Sequence, residues 1–396
     1  MKGAAAALAR ALAERRILVV CGAGGVGKTT TAAALAVQAA LNGRRVLVCT
    51  IDPSRRLATS LGLQKLSDRP RRLDLDTAAP GAAGEAWAMT LDTKRTFDAL
   101  VERHAPTAEA RRRILENRFY QKVSAALAGS HEYMAMEKLL ELSADARFDL
   151  VVLDTPPTRH ALDFLEAPER MVGFLDTSVL RWFLKPYFVA GRLTLKVATR
   201  TGAMAMKLAD KYLGLQFLQD LSEFFLAFEG LYDGFKQRAA AVHELLRAGS
   251  TGFVLVASPA RVAVDEALYF YRRLREAEMP FVATVVNRVH EGPPEPRRER
   301  RRAKGATVQV EPGLARVLLA AHDDLRVLAR AEEHVIERLE EVTEEPLLRV
   351  PELEGDVHDL RGLAVVAALM FGNSGGGRQS EPGARALGAQ PRSRAR

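Results

Sequence analysis

Residues 22–29 read Gly-Ala-Gly-Gly-Val-Gly-Lys-Thr, and this octapeptide restricts the fold more than any other part of the chain. It matches the pattern G-x-x-x-x-G-K-[ST], which works only between a strand and a helix. ILVVC at 17–21 precedes it and TTTAAALAVQAAL at 29–41 follows. Glycines let backbone N–H groups face a phosphate chain, Lys28 reaches the terminal phosphates, and the Thr29 hydroxyl can bind Mg²⁺. The helix opening at Lys28 turns its positive dipole end to the anion. Gly24, Gly25, Val26, Gly27, Lys28, Thr29 and Thr30 are therefore the candidate nucleotide-binding residues.

The remaining chain suits the α/β architecture this loop demands. Apolar runs at 46–51 (VLVCTI), 149–154 (DLVVLD), 252–257 (GFVLVA), 281–287 (FVATVVN) and 347–350 (LLRV) predict strands, and a weaker one lies near 86–91. They lack polar alternation, as strands covered on both faces do. The expectation is a P-loop NTPase with a mostly parallel sheet flanked by helices. Two strand-poor stretches, about 92–147 and 167–250, predict an inserted helical subdomain on the sheet's edge. Phe174, Trp182, Phe183, Phe188, Met204, Met206, Phe217, Phe224, Phe225, Phe228 and Phe235 crowd the second stretch. They either pack that subdomain's own core or line an adaptable apolar groove for a client. Residues 1–374 are expected to form one ATPase domain, and the Gly-, Ala- and Arg-rich 375–396 a disordered tail.

Composition narrows the function. The net charge of +8 resides in residues 297–304 (RRERRRAK) and 378–396, leaving about −1 for the rest of the 396 residues. A basic loop and a tail are not a basic face interleaved with aromatics, so nucleic acid is not the expected partner. Cys21 and Cys49 are too few for a disulfide framework or a four-cysteine zinc site, and read as buried apolar residues. MKGAAAALARALAERR imitates a leader, but Arg10 and Glu14 interrupt it and a strand follows at once. With no clean apolar span anywhere, the expected location is cytoplasmic.

Two carboxylates accompany the loop. Asp154 in VVLDTPPTRH ends a predicted strand, where ligands of open α/β sheets gather. It reads as the acid that holds Mg²⁺ through water, with Thr29 as the direct ligand. Asp52 in TIDPSRRL ends another strand. It reads either as the group that orients or deprotonates the attacking water, or as a helix N-cap if Pro53 opens a helix. Lys28 and Asp52 are thus the candidate catalytic pair.

GGVGKTTTAAALA (24–36), TIDPSRRLATSLG (50–62), DTPPTRHALDFL (154–165) and VVNRV (285–289) resemble the family of the arsenical pump-driving ATPase and the tail-anchored-protein targeting ATPase. This family belongs to the deviant-Walker-A dimeric NTPases, and the resemblance covers roughly residues 15–372. It implies that Asp52 is the switch I catalytic acid and that Pro157, Thr158 and His160 belong to switch II with Asp154. It also implies that the Asn287 amide reads the adenine edge and that Pro351 lies where the chain closes over the base. ATP and Mg²⁺ are the implied ligands. The implied activity is Mg-dependent ATP hydrolysis by a nucleotide-switched dimer that serves a hydrophobic client or membrane-protein partner.

The departures from that family are specific. Ala23 stands where the signature lysine reaches across the dimer. Arg55 and Arg56 stand where His and Asn are usual, and Arg159 replaces a Gly. No cysteine pair supports a zinc-linked dimer and no cysteine triad a metalloid site, so neither metal is expected. Arg55 or Arg159 reaching across, or a heterodimer with a lysine-bearing paralogue instead of a homodimer, would answer the missing lysine. The alternative function is a partitioning-type ATPase that acts on DNA or membrane through the Arg-rich segments.

Overall fold

Strands form where the apolar runs predict them, and they join one eight-stranded sheet. In the computed structural model they are β1 (Ile17–Gly22), β2 (Arg45–Thr50), β3 (Arg71–Arg72), β4 (Glu85–Thr90), β5 (Leu150–Asp154), β6 (Thr251–Ala257), β7 (Phe281–Val289) and β8 (Leu347–Pro351). The structure describes residues 2–52, 54–123, 130–156, 215–293, 311–345 and 347–372. The order is β3-β4-β2-β5-β1-β6-β7-β8, parallel throughout except for the β3–β4 pair. β3 was not expected: two exposed arginines carry no hydrophobic signal.

Every residue of β1, β5 and β6 is buried. Successive side chains alternate between two cores, as the pleat requires. Ile17, Val19 and Cys21 enter one, and Leu18 and Val20 the other. The second core is closed by α1 (Lys2–Glu14), α2 (Lys28–Leu41), α3 (Arg56–Ser60) and a C-terminal helix at Leu360–Phe371. α2 is rich in alanine, the strongest helix former. Its small side chains at Ala32, Ala33, Ala36, Ala39 and Ala40 are all buried, which lets it lie close to the sheet.

The first core lies under α4 (Thr93–His104), α5 (Ala108–Glu116), α6 (Arg118–Val123), α7 (Ser130–Ser143) and α8 (Leu215–Arg247). The sequence places the helical insertion at the sheet's edge. Its described part instead covers a face, sharing one core with Val19, Leu47, Val151 and Leu255. Phe224 stacks on Tyr120 and Phe235 on Tyr133, so these two phenylalanines serve the layer's own packing. The Phe- and Met-rich stretch at 174–206 lies outside the described residues, as do 297–304 and 375–396.

α9 (Arg261–Glu276) and α10 (Pro312–Val342) complete this face. Only the C-terminal half of α10 is buried, at Glu332, Ile336 and Leu339. Its N-terminal half carries Leu314, Val317, Leu318 and Leu319 into solvent. The C-terminal helix named above is α11.

Arg16 and Arg44 close the amino ends of the strands. Arg16 donates to the carbonyls of Ser143 at 2.8 Å, Asp145 at 2.8 Å and Phe148. Arg44 donates to Arg15 at 2.8 Å and to Asp149 at 2.5 Å. The Cys21 and Cys49 thiols are buried, and burial pushes Cys49 up to about 12. No helix among the described residues is long and apolar enough to cross a membrane.

Candidate functional site: a phosphate loop at the strand carboxyl ends

Because β1 lies between β5 and β6, with β2 next to β5, the carboxyl ends of three strands meet at the loop after Gly22. Gly22 has φ 147°, and a Cβ there would lie 2.1 Å from the Val256 carbonyl oxygen. Only glycine lets the loop leave β1 so close to β6. Gly27, at φ 96°, caps α2, and its missing Cβ is the space occupied by the Asn287 amide. Asn287 Nδ2 donates to the Val26 carbonyl at 3.0 Å. Asn287 therefore braces the loop from β7.

Asp154 is fully buried between its neighbours on β1 and β2. Its Oδ2 accepts from Thr29 Oγ1 at 2.8 Å and Thr50 Oγ1 at 2.9 Å. Oδ1 is also buried and, among the described residues, has no hydrogen-bond partner. Burial raises its pKa to about 6, against the opposing pull of the two hydroxyls and Lys28. A buried carboxylate oxygen without a donor, beside a threonine hydroxyl, is a hard-oxygen environment that fits Mg²⁺. Thr29 and Asp154 are the residues that would hold it.

Lys28 is almost wholly buried, and its Nζ donates to the Ala23 carbonyl at 2.6 Å. Burial lowers its pKa, and Asp154 is the leading influence in the other direction. Ala23 is itself buried, its methyl group in the core beneath the loop with Val26. Asp52 is half-buried and forms a local turn in which Oδ1 accepts from the Ser54 N–H at 2.8 Å. It does not cap a helix: α3 begins at Arg56, with Arg55 at the cap position. The carboxylate is thus fixed at the mouth of the site and not committed to helix ends.

A cavity of about 470 Å³ is lined by Gly25, Gly27, Lys28, Thr29, Thr30 and Asp52 from the expected set. It is also lined by Arg55, Arg56, Thr59 and Ser60, by Thr155, and by Arg288, Asp356, Val357 and His358. The last four were missed. Their only early signal is that Arg288 lies at the carboxyl end of β7, and the other three follow β8, at the edge of the sheet where ligands bind. Arg288 has φ 64° at an irregularity in the β7–β8 pairing, between Asn287 and Val289. Such bulges re-aim side chains beside sites. Asn287 lies against the loop itself, and Pro351 ends β8 opposite Val289; neither lines the cavity. Pro157, Thr158, Arg159 and His160 lie outside the described residues.

The anion-transporting ATPase family model matches residues 15–309. The chain belongs to this family. The ATPase get3 of Aspergillus terreus is 31% identical over 154 residues, 39% of this chain and 43% of that protein. An ASNA1 homologue ATPase of Babesia bovis is 30% identical over 161 residues, 40% of each chain. With both, the chain spans about two fifths of the relative's length. The ATPase GET3C of Arabidopsis thaliana is similar over a longer stretch, 28% identical across 286 residues, 70% of this chain and 67% of that protein. The matched region takes in the phosphate loop, Asp52, Asp154 and Asn287 and stops short of β8.

Proposed function

We propose that this family member binds Mg·ATP and hydrolyses it to ADP and phosphate, acting as a nucleotide-switched dimer. In this reading, ATP binding and hydrolysis are coupled to a hydrophobic client or membrane-protein partner. The observation that carries it is the convergence of Lys28, Thr29 and Asp52 on one cavity at the strand carboxyl ends, with the buried Asp154 hydrogen-bonded to Thr29 behind its wall. Phosphoryl transfer needs positioning and charge neutralisation more than covalent chemistry.

The backbone N–H groups of the loop receive the phosphate chain, and Lys28 turns from the Ala23 carbonyl to the terminal phosphates. Asp52 accepts a hydrogen bond from the attacking water and aligns it. Thr29 and Asp154 would hold Mg²⁺, which supplies neutralisation of the phosphate oxygens. Asn287 holds the loop with Nδ2 while its amide oxygen can meet an adenine N–H. Thr50 ties Asp52 to Asp154, because its hydroxyl contacts the Asp154 carboxylate and accepts from the Asp52 N–H at 3.2 Å. A change at the γ-phosphate therefore passes directly to the 52–60 segment, which is the switch logic of this class. Residues 154–166 are proposed to respond in the same way, with Pro157, Thr158 and His160 in switch II. Pro351 is proposed to lie beside the base.

The test is Asp52→Asn. Asparagine keeps the shape and the local turn, so folding and nucleotide binding should hold while phosphate release falls by about 10²-fold or more. Light scattering of this variant with ATP, with ADP and with neither checks the dimer: an ATP-only doubling of mass is expected. Wild-type rates of phosphate release in the variant would remove Asp52 from the mechanism. A constant monomer mass would remove the homodimer.

A further inference from the structure

We infer that Arg56, with Arg55 beside it, supplies the second positive charge on the phosphate chain from within the same protomer, in place of a lysine from a partner. The inference rests on the ATPase reading above and names which residues complete that site.

Ala23 cannot present a cation, and the loop around it is built so that none is projected. Its side chain is 7% exposed and packs with Val26 in the core shared by α2 and the sheet. That leaves Lys28 as the loop's own cation for a triphosphate. The next two cations in the cavity come from switch I. The turn at Asp52, closed by the Ser54 N–H, bends the chain after β2. It brings Arg55 and Arg56 into the same cavity wall as Lys28, Thr29 and Thr30. Arg56 is close enough for its charge to act on Lys28.

Both arginines are solvent-exposed, and among the described residues neither guanidinium has a hydrogen-bond or ion-pair partner. Several arginines elsewhere in the chain are committed to carboxylates. Arg45 pairs with Asp149, Arg95 with Asp68, Arg147 with Asp145 and Arg349 with Glu333. Arg288, the remaining arginine on the cavity, has Glu352 at 3.8 Å. Two uncommitted guanidinium groups on one cavity with a phosphate loop have the planar donor array that binds phosphate oxygens in pairs. Switch I then carries both the water-aligning acid and the compensating charge. This also explains how residues at positions usually held by His and Asn serve the site.

The experiment has two arms. Calorimetric titration compares wild type, Arg56→Ala and Arg55→Ala/Arg56→Ala with a non-hydrolysable ATP analogue and with AMP. The double variant should lose about tenfold or more in affinity for the triphosphate and change by less than about twofold for AMP. Equal triphosphate affinity in wild type and the double variant would overturn the inference and leave the ATPase reading standing. A wild type that binds neither ligand would sink the ATPase reading itself, and this inference with it. Both side chains are exposed, so matched thermal unfolding curves verify that the variants fold.

The second arm mixes Lys28→Ala protein with the double arginine variant and measures phosphate release. Action within one protomer predicts activity no greater than the two proteins assayed apart. Recovery of activity on mixing would show an arginine reaching across to a partner's site and would overturn the within-protomer assignment.

Discussion

At the scale of single residues, this site depends on what is missing as much as on what is present. Gly27 shows it most directly. A methyl group there would lie 2.1 Å from Asn287 Nδ2 and would stand on a residue at φ 96°. Gly27→Ala should therefore cost about 2–4 kcal/mol in urea unfolding, part from the left-handed backbone and part from the clash. Adding Asn287→Ala should recover the steric part alone. A double variant as stable as wild type would show that the backbone carries no strain. The phosphate loop, Asp52 and Asp154 are legible in the sequence because their spacing is local: glycines, a lysine and strand-terminal acids lie within a few positions of the strands that place them. Arg288 is not, because its place on the cavity wall depends on a positive φ and on a bulge set by pairing with β8. The partner that Asn287 finds in Val26 is 261 positions away and equally hidden.

Elements are held at their amino ends by arginine, away from the site. The Arg16 guanidinium serves three carbonyls between α7 and β5. Arg16→Ala should destabilise by about 3 kcal/mol, since charge-assisted hydrogen bonds to several partly buried acceptors are lost together. Nucleotide affinity should not change, because the clamp sits at the opposite end of the sheet; a matching loss of affinity would refute that separation. Asp149 does related work for β2, accepting from the Arg45 backbone N–H at 2.9 Å and pairing with the Arg45 guanidinium at 2.6 Å. The pairing holds its carboxyl down at about 2, below the ordinary 3.8. The sign follows: the contribution to stability is complete above pH 3.8 and is lost as pH falls towards 2. Thermal unfolding of Asp149→Asn should thus lie below wild type at neutral pH and converge with it near pH 2. The gap should be small, because both side chains are substantially exposed.

Strand legibility also divides by physics at this scale. β1, β5, β6 and most of β2 and β7 are buried on both faces and announce themselves as apolar runs crowded with Val, Ile and Leu. β3 is two exposed residues held by pairing alone, which no hydrophobic pattern records. The described helices of the insertion were visible as helix, but the face of the sheet they cover was not. Periodicity states that a face is apolar, not which surface it covers.

In the whole molecule, stability is unevenly spread. The central strands are sealed between two cores, whereas the first half of α10 leaves Leu314, Val317, Leu318 and Leu319 exposed. Amide exchange should be slowest in β1, β5 and β6 and fastest, among the described helices, in residues 312–331. Limited trypsin digestion followed by mass spectrometry should cut first at Arg316, Arg326 or Arg330 when scored over the described residues. Early cleavage within α9 instead would contradict this ranking.

The cavity also bears on how the protein is made. The phosphate loop leaves the ribosome before every strand of the sheet except β1. Arg288, Asp356, Val357 and His358, which finish the cavity wall, are translated well after the loop, once β1 to β6 have been made. A nascent chain thus carries the glycines and Lys28 long before it has a pocket, and nucleotide can reward folding only once β7 and β8 have joined the sheet. Until then the growing polypeptide relies on other protection, and any stalled or prematurely ended translation product would be blind to nucleotide.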